Sequence, residues 1–552
     1  MTRQVKVAVV GSGLAGLTAT YLLNKPVAQE SDVEFEVHLF EKAPMLGMDS
    51  SSVSLPSTDS EAVEDAWRVD VPMRSFQGGY YPQLIALYTR LGVAFREANF
   101  AYSFSLLTLS SSNQERQINA TMIYNGSSGR AGLSMPSILD EPYHLTKGKG
   151  FPRRAFTRMW TVSLFVLLTL HIAVCYVRML LHSLPFWRPK MIHKMTFEEW
   201  TKQTIPRDIF SRWTGMDLAW KDYTRSVLLP LFSAVCTAPE EDVLRHPVEE
   251  FLDYIWLTLG THHYVVIHGV REVVARLTTT ARNIHLASTI TSISPDPNDL
   301  NRSNIECDTP EGPRVYTGFH HIIFATQATR AVPLLKTYRD ALPHLSSKRQ
   351  AVDAQLNCLK KFQYCSTIVI NHTDPTLLPD NPRDQRDLNL ICLEQDAVTD
   401  REKNIFDWSA TTVPPSYTMT THVLSPPRGY PTHLPPVFQT TNPLISPEDD
   451  SILSIARLER AVLSVESKTA LEGLYREEGR KWWQCAGQGS ARLGELQGAG
   501  RLVDEQRTGI WICGSYVYAG IPLLEGCVVS ARSVVEQGIY VAEGVSSASA
   551  PW

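Results

Sequence analysis

The residues with the clearest chemical purpose stand at the start of the chain, in Val5-Lys-Val-Ala-Val-Val-Gly-Ser-Gly-Leu-Ala-Gly-Leu17. An apolar, β-branched run ends in Gly11, Gly13 and Gly16, and a helical pattern follows. That spacing suits a dinucleotide pyrophosphate. Gly11 permits the tight turn out of a strand, Gly13 lets the backbone approach the phosphates, and Gly16 lets the helix pack close to the sheet. The positive end of that helix, with Leu14 and Ala15 in its first turn, then faces the negative charge. A second strand, Val33 to Phe40, ends on Glu41, where a carboxylate can take the ribose hydroxyls of an adenosine. Lys42 and Gly47 follow and join the candidate cofactor contacts. A glycine turn in an unrelated α/β protein is the competing reading, and the second strand with its terminal acid argues against it.

Residues 509 to 532 bear on which dinucleotide this is. They read as a buried strand ending at Gly514-Ser515, a short loop, and a helix opening near Glu525-Gly526. A nicotinamide dehydrogenase has no reason to return to the nucleotide at its C-terminus. A flavin enzyme does, because the ribityl chain and ring system extend far beyond the first phosphate site. Gly514 and Ser515 would meet the ribityl-phosphate, and the helix end at Glu525 and Gly526 would face the pyrimidine edge, favouring negative charge on the reduced ring. FAD is the expected cofactor.

The elements that must position these residues fill a long chain of 552 residues with a net charge of −5, enough for two or more linked domains. Hydrophobic content of 43% and charged content of 20% describe a globular enzyme without the basic excess of a nucleic-acid binder, so no nucleic-acid partner is expected. The nine cysteines are scattered with no C-x-x-C pair, which argues against a zinc site and structural disulfides and for a reducing compartment. The first strand begins almost at Met1, so no secretory signal is expected. The sequons at Asn119, Asn125, Asn301 and Asn371 are what chance supplies.

Along the chain, residues 49 to 65 are rich in Ser, Asp and Glu and read as an exposed, mobile loop. Apolar residues at 84, 87, 88 and 91 predict a helix that Gly92 stops. Trp160 to Val177 contains no Asp, Glu, Lys or Arg, and basic residues flank it: Arg153, Arg154 and Arg158 before, Arg178, Arg188, Lys190 and Lys194 after. A single transmembrane crossing would put Gly11–Glu41 and Gly514–Gly526 on opposite sides of a bilayer, although both must meet one cofactor. A monotopic helix over about 160–181, dipping into one leaflet, fits better, with a buried core helix as the alternative. Phe197 to Trp220 and Phe251 to Leu259 read as helices. The stretch 260–277 reads as a strand, a glycine turn and a helix. His262 and His263 would point to opposite faces of that strand and make a poor metal pair; no metal is expected. Two strands return the chain to the nucleotide domain, 284–293 with Ile290 and 318–326 with Ala325 and Thr326, and these three residues complete the candidate cofactor set. The proline-rich stretch from Val413 to Pro447 suits edge strands and their connections.

On these residues the chain resembles the FAD-binding proteins related to amine oxidases and phytoene desaturases. It is most similar to the NAD/FAD-binding proteins associated with cyclopropane and other modified fatty acids. Beyond the glycine turn and Glu41, the resemblance rests on Tyr81-Pro82, Leu228 to Val235 followed by Pro247, and His268-Gly-Val-Arg-Glu-Val-Val. It continues through Ile323 to Ala328, Thr440-Thr-Asn-Pro443, Leu496-Gln-Gly498 and Cys513-Gly-Ser515. It implies an α/β fold in which a Rossmann-like FAD domain of the glutathione-reductase type is built from 1–95, 265–335 and 496–540. An α+β substrate domain would be built from 96–264 and 336–495. The chain departs from the family at Met48, where a second glycine is usual, and at Pro522-Leu-Leu-Glu-Gly526, which replaces Phe-His-Glu-Asp-Gly. Amine oxidases present two aromatic rings beside the flavin; Tyr516 and Tyr518 are candidates, with a purely structural role as the alternative. No cysteine stands in the context of covalent flavin attachment, so Cys513 and Cys527 are expected in the core and FAD to be held without a covalent bond.

A rim of Ile521, Pro522, Leu523 and Leu524 suits an unactivated C–H bond better than a charged amine. The expected activity is therefore dehydrogenation of a lipophilic substrate, such as a fatty-acyl, isoprenoid or polyketide chain. A flavin amine oxidase, a redox-neutral double-bond isomerase and a non-catalytic FAD-binding membrane protein are the alternatives. The chain is expected at a membrane with its catalytic domains facing the cytoplasm; the electron acceptor stays open.

Overall fold

The computed structural model describes residues 3–25, 32–55, 67–109, 116–126, 129–144, 151–299, 301–394, 408–427, 430, 433–499 and 509–545. The elements used below, in chain order, are β1 (Arg3–Val10), α1 (Leu14–Leu23), β2 (Val33–Phe40), α2 (Pro82–Leu91), α3 (Phe151–Ser183) and α4 (Ile209–Trp213). They are followed by β3 (Asn283–His285), β4 (His321–Phe324), β5 (Gly509–Ile512) and α5 (Leu524–Ser533).

β1 is apolar on both faces because both are covered. Val5, Val7 and Val9 join the core under α1, while Ala8 and Val10 pack with Phe40, Ile322 and Phe324 on the other side. The five strands pair in the order β3-β2-β1-β4-β5, all parallel. The order reverses between β1 and β4, which opens a crevice beyond their carboxyl ends. Gly11 on one side and Ala325-Thr326 on the other stand at that point. At the far end of the chain, Glu543 takes His321 Nε2 at 2.8 Å and Arg3 Nη1 at 2.5 Å, fastening the last helix to β4 and the start of β1.

The second unit is an eight-stranded sheet in the order Ile452–Val462, Gln363–His372, Phe438–Thr441, Met419–Val423, Leu388–Leu393, Tyr102–Leu109, Arg116–Tyr124 and Leu133–Ser134. Met419–Val423 and Phe438–Thr441 are paired on both sides, so the proline-rich stretch supplies interior strands rather than edges. Pro414, Pro415, Pro426, Pro427, Pro435 and Pro436 all fall in the connections, and the ladder keeps its N–H donors.

Helix α2 ends as expected on Gly92, which is left-handed at φ +70°. The single helix expected over 197–220 is three: Phe197–Gln203, α4, and Met216–Tyr223. Pro206 and Gly215 (φ +72°) interrupt it, and Thr196 and Asp208 each accept an N-terminal amide as caps. The loop expected over 49–65 is ordered in its first part. Asp49 is buried, holding Arg68 Nη2 at 2.8 Å and Arg271 Nε at 3.2 Å, and Val53–Leu55 pairs antiparallel with Trp67–Val69. Residues 56–65 lie outside the described residues.

α3 runs for 33 residues against the helices Val248–Thr258 and Met216–Tyr223. Its most apolar window is only 11% buried, which removes the core-helix reading. Cys175 and Met179 face inward, while Phe156, Trp160, Val166 and Leu170 are each about 60% exposed. Among the described residues it is the one helix long and apolar enough to cross a membrane.

Candidate cofactor and substrate site

The glycines of the first turn hold three close approaches. Gly11 has φ +98°, and a Cβ there would lie 2.9 Å from Ala325 O and from Thr326 Cγ2. A Cβ on Gly16 would lie 1.9 Å from Gly11 O, so α1 sits directly on the turn. A Cβ on Gly47 would approach Gly13 N to 3.1 Å. Gly13 differs: nothing lies within 4 Å of where its Cβ would be. α1 starts at that opening with no side-chain cap and no acid in its first turn, so Leu14 and Ala15 bring amides to an uncovered, positive helix end. Beside it, Thr326 Oγ1 is buried without a partner. An open approach to backbone amides and an orphaned hydroxyl at the strand-order reversal fit a dinucleotide phosphate.

Glu41 follows directly on β2, next to this turn, and braces it. Its Oε2 accepts from Ser12 Oγ at 2.6 Å and Ser12 N at 3.0 Å, and its Oε1 from Ala43 N at 2.9 Å. Gly47 N donates in turn to Ser12 Oγ at 2.7 Å. Lys42 is exposed. Ser288 N bonds Glu41 O at 2.9 Å, which sets the strand of Ile290 beside the end of β2.

The late turn reaches the same place. Gly514 N donates to Ser530 Oγ at 3.0 Å, and a Cβ on Gly526 would strike Ser515 O at 2.6 Å, so α5 is seated against the Gly514-Ser515 turn. Glu525 does other work than expected. Its two oxygens accept from Gln83 N and Leu84 N at 2.9 Å each, capping α2 from a buried position away from the cavity. Burial lifts its carboxyl to about 7 against the pull of those amides. Tyr516 and Tyr518 likewise belong to the core rather than the cavity wall. Tyr516 donates to Thr326 O at 3.2 Å and packs on Phe362 and Tyr364, and Tyr518 packs on Tyr475. Cys513 is in the core as expected; Cys527 turns partly to the cavity.

A cavity of about 330 Å3 runs from Gly13, Leu14, Gly47, Met48 and Ser515 to the face of the eight-stranded sheet, where Thr420, His422, Gln439 and Arg460 meet it. A second cavity of about 420 Å3, walled by Phe104, Met122 and Ile255, continues to Ile172, Tyr176 and Met179 on the inner face of α3. Gln77, Tyr102, Leu231, Val235, Tyr254 and His263 line both. His246, His263 and His422 are each pushed down to about 4 by burial, so all three imidazoles are neutral near pH 7. His263 faces Gln77 and the cavities, whereas His262 turns outward to Asn99. No group of His, Cys, Asp and Glu among the described residues is arranged to hold a metal. Arg74, Tyr81, Tyr254, His263 and Arg460 also line the first cavity, and no local motif marks them for it.

Three solved structures illustrate the chain's likeness to known folds. Putrescine oxidase bound to putrescine is 12% identical, with 98% of this chain and 100% of that one covered and a TM-score of 0.46. Cyclohexylamine oxidase from Brevibacterium oxydans IH-35A is 11% identical, covering 98% and 99%, with a TM-score of 0.48. An oxidoreductase from Methanosarcina mazei is 13% identical, covering 96% and 100%, also at 0.48. At this level of identity and superposition these likenesses bear on neither substrate nor chemistry. No curated protein matches the sequence. The model of the NAD(P)-binding Rossmann-like domain matches residues 9–91, and the glycine turn and five-stranded parallel sheet to which that segment contributes β1 and β2 make the nucleotide-side fold Rossmann-like.

Proposed function

We propose that the chain is an FAD-dependent oxidoreductase that dehydrogenates a lipophilic substrate taken from a membrane. The observation that carries this reading is the adjacency of the two cavities, which share six wall residues and together span from the phosphate turn at Gly13 to the inner face of α3. When bound, FAD supplies a two-electron acceptor. The chain's part would be to hold it at Gly13, Leu14, Gly47 and Ser515, with Glu41 bracing the turn through Ser12, and to keep the space in front of it dry with Leu231, Val235, Ile521, Leu523 and Leu524.

The outer face of α3 is the proposed membrane contact. Val162, Val166, Leu170, Val174 and Val177 are exposed along it, and arginines and lysines stand at both ends where headgroups would be. α4 adds a second apolar foot. Ile209, Phe210 and Trp213 are 85%, 68% and 82% exposed, and the contact of His171 Nε2 with Thr214 O at 3.4 Å brings the end of α4 beside the middle of α3. A helix that lies in one leaflet leaves both halves of the cofactor site on the same side, and a chain leaving the leaflet passes α3 into the second cavity without crossing water.

The test is flotation of the purified protein with phospholipid vesicles, joined to analysis of its bound cofactor. Protein that floats and releases FAD on acid precipitation supports the reading. Colourless, folded protein that stays in the aqueous fraction overturns it.

A further inference from the structure

Two guanidinium groups enter the cavity nearer the nucleotide turn from separate elements. Arg74 stands just before the strand Ser75–Gln77, and Arg460 near the end of the strand Ile452–Val462. Each has its Nε buried without a hydrogen-bond partner, and neither is paired with a carboxylate within ion-pair distance among the described residues. The nearby acids are committed elsewhere: Asp70 is turned to the Val270 N–H, and Asp49 holds Arg68 and Arg271. Asp242 is the single carboxylate among the lining residues, and burial raises its pKa. Burial first, and the charge of Arg74 second, bring Arg460 down to about 10, with only Cys365, Cys527 and Tyr81 acting the other way. The histidines on the wall are neutral near pH 7. With Arg74 and Arg460 set against the one lining carboxylate of Asp242, the wall is net cationic, and two confined guanidiniums whose Nε groups lack partners are costly unless an anion arrives. The adjoining cavity is the opposite in character, with Phe104, Met122, Ile172 and Ile255 on its wall.

We propose that Arg74 and Arg460 form an anion site that binds the carboxylate of an amphiphilic substrate, whose alkyl chain lies in the second cavity against α3. This deepens the reading of a lipophilic substrate by naming its polar end, and the site itself does not require flavin. Guanidinium is suited to the task because its planar fork meets a carboxylate with two parallel hydrogen bonds. The same chemistry would also hold a phosphate of the cofactor, so the experiment must separate the two sources.

The experiment is calorimetric titration of the purified protein, as isolated, with decanoate, decan-1-ol and decylamine below their micelle concentrations, with bound FAD measured on the same samples. The wild-type protein is expected to bind decanoate at least about tenfold more tightly than the alcohol or the amine, the usual size of a charge-assisted contact. Arg74→Gln and Arg460→Gln should each remove that preference, leaving decan-1-ol affinity and FAD content unchanged. Arg74→Lys and Arg460→Lys, which keep the charge if the glutamines do not fold, should retain part of it. Equal binding of acid and alcohol by the wild type overturns the proposal. So does loss of FAD in the variants without any carboxylate preference in the parent, which would assign the arginines to the cofactor. Colourless protein that still prefers decanoate would sink the flavin reading and leave this one standing.

Discussion

The Ser12 hydroxyl lies 2.6 Å from Glu41 Oε2, so the middle of the phosphate turn is tied to the first residue beyond β2. Through Ser12 the tie extends to Gly47 N, and through Oε1 to Ala43 N. One carboxylate thus fixes three segments around the space where the adenosine and pyrophosphate of a dinucleotide would lie.

Replacing it should therefore act twice. Glu41→Ala is expected to weaken FAD binding by ~1.5–3 kcal/mol, the loss of charge-assisted hydrogen bonds, and to lower the melting temperature of the apoprotein as well. Glu41→Gln, which keeps an accepting oxygen, should recover part of both. Titration of apoprotein with FAD and thermal melts check this; unchanged affinity in the alanine variant would place the carboxylate outside the cofactor's reach.

The glycines of the turn should separate into those needed for folding and one needed for the ligand. At Gly16 an added methyl meets Gly11 O at 1.9 Å, so Gly16→Ala is expected to yield little folded protein. At Gly13 a methyl meets nothing and φ is −65°, so Gly13→Ala should fold normally. Gly13→Glu should also fold, yet lose FAD, because its carboxylate would stand against the phosphates. Circular dichroism and cofactor content distinguish these outcomes, and FAD retained by folded Gly13→Glu protein would contradict the site.

Two buried acids should give opposite pH dependences of stability. Burial raises Glu525 from 4.5 to about 7 in the folded chain, so the folded state holds the proton more tightly and stability from this group falls as pH rises from 4.5 through 7. For Glu543, burial also pushes upward, but hydrogen bonds from His321 and Arg3 outweigh it and hold the carboxyl down at about 2. Its contribution is present above 4.5 and is lost as pH falls toward 2. Denaturant unfolding across pH should show the first slope removed by Glu525→Gln and the second by Glu543→Gln. Glu525→Ala, which uncaps α2, should cost ~1–3 kcal/mol of stability while FAD content stays intact.

The outer face of α3 offers a sharper membrane test than its sequence did. Ile172 and Met179 line the second cavity, so charges there would damage the site, whereas Val166, Leu170 and Val174 are 59%, 60% and 44% exposed. Val166→Asp, Leu170→Asp and Val174→Asp together should release the protein from vesicles with its melting temperature little changed, since each charge in hydrocarbon costs ~2.5–3.5 kcal/mol on insertion scales. A triple variant that still floats would remove α3 as the anchor.

The local parts of the site were legible in the sequence because they have local causes. Val5–Val10, the glycine turn and Glu41 lie within one β-α-β unit, and α2 is written in the spacing of Leu84, Leu87 and Tyr88 and stopped by Gly92. What escaped has distant causes. Glu525 caps a helix more than four hundred residues upstream. Tyr516 and Tyr518 sit in the expected stretch but turn into the core, where Phe362, Tyr364 and Tyr475 receive them. Arg74 and Arg460 carry no local signal, because only the assembled cavity reveals that no carboxylate answers them. The division of 197–220 into three helices is readable from the caps Thr196 and Asp208 and the breakers Pro206 and Gly215.

The most direct measurement is anaerobic titration of the purified protein with lipid pools and with amines, following the visible absorbance of bound flavin. Bleaching by an apolar or fatty-acid fraction presented in vesicles, with no response to small amines, is the result expected of an enzyme whose cavities lead from Gly13 to α3. Bleaching by small amines alone, or by nothing while a chemical reductant bleaches the flavin normally, would contradict it.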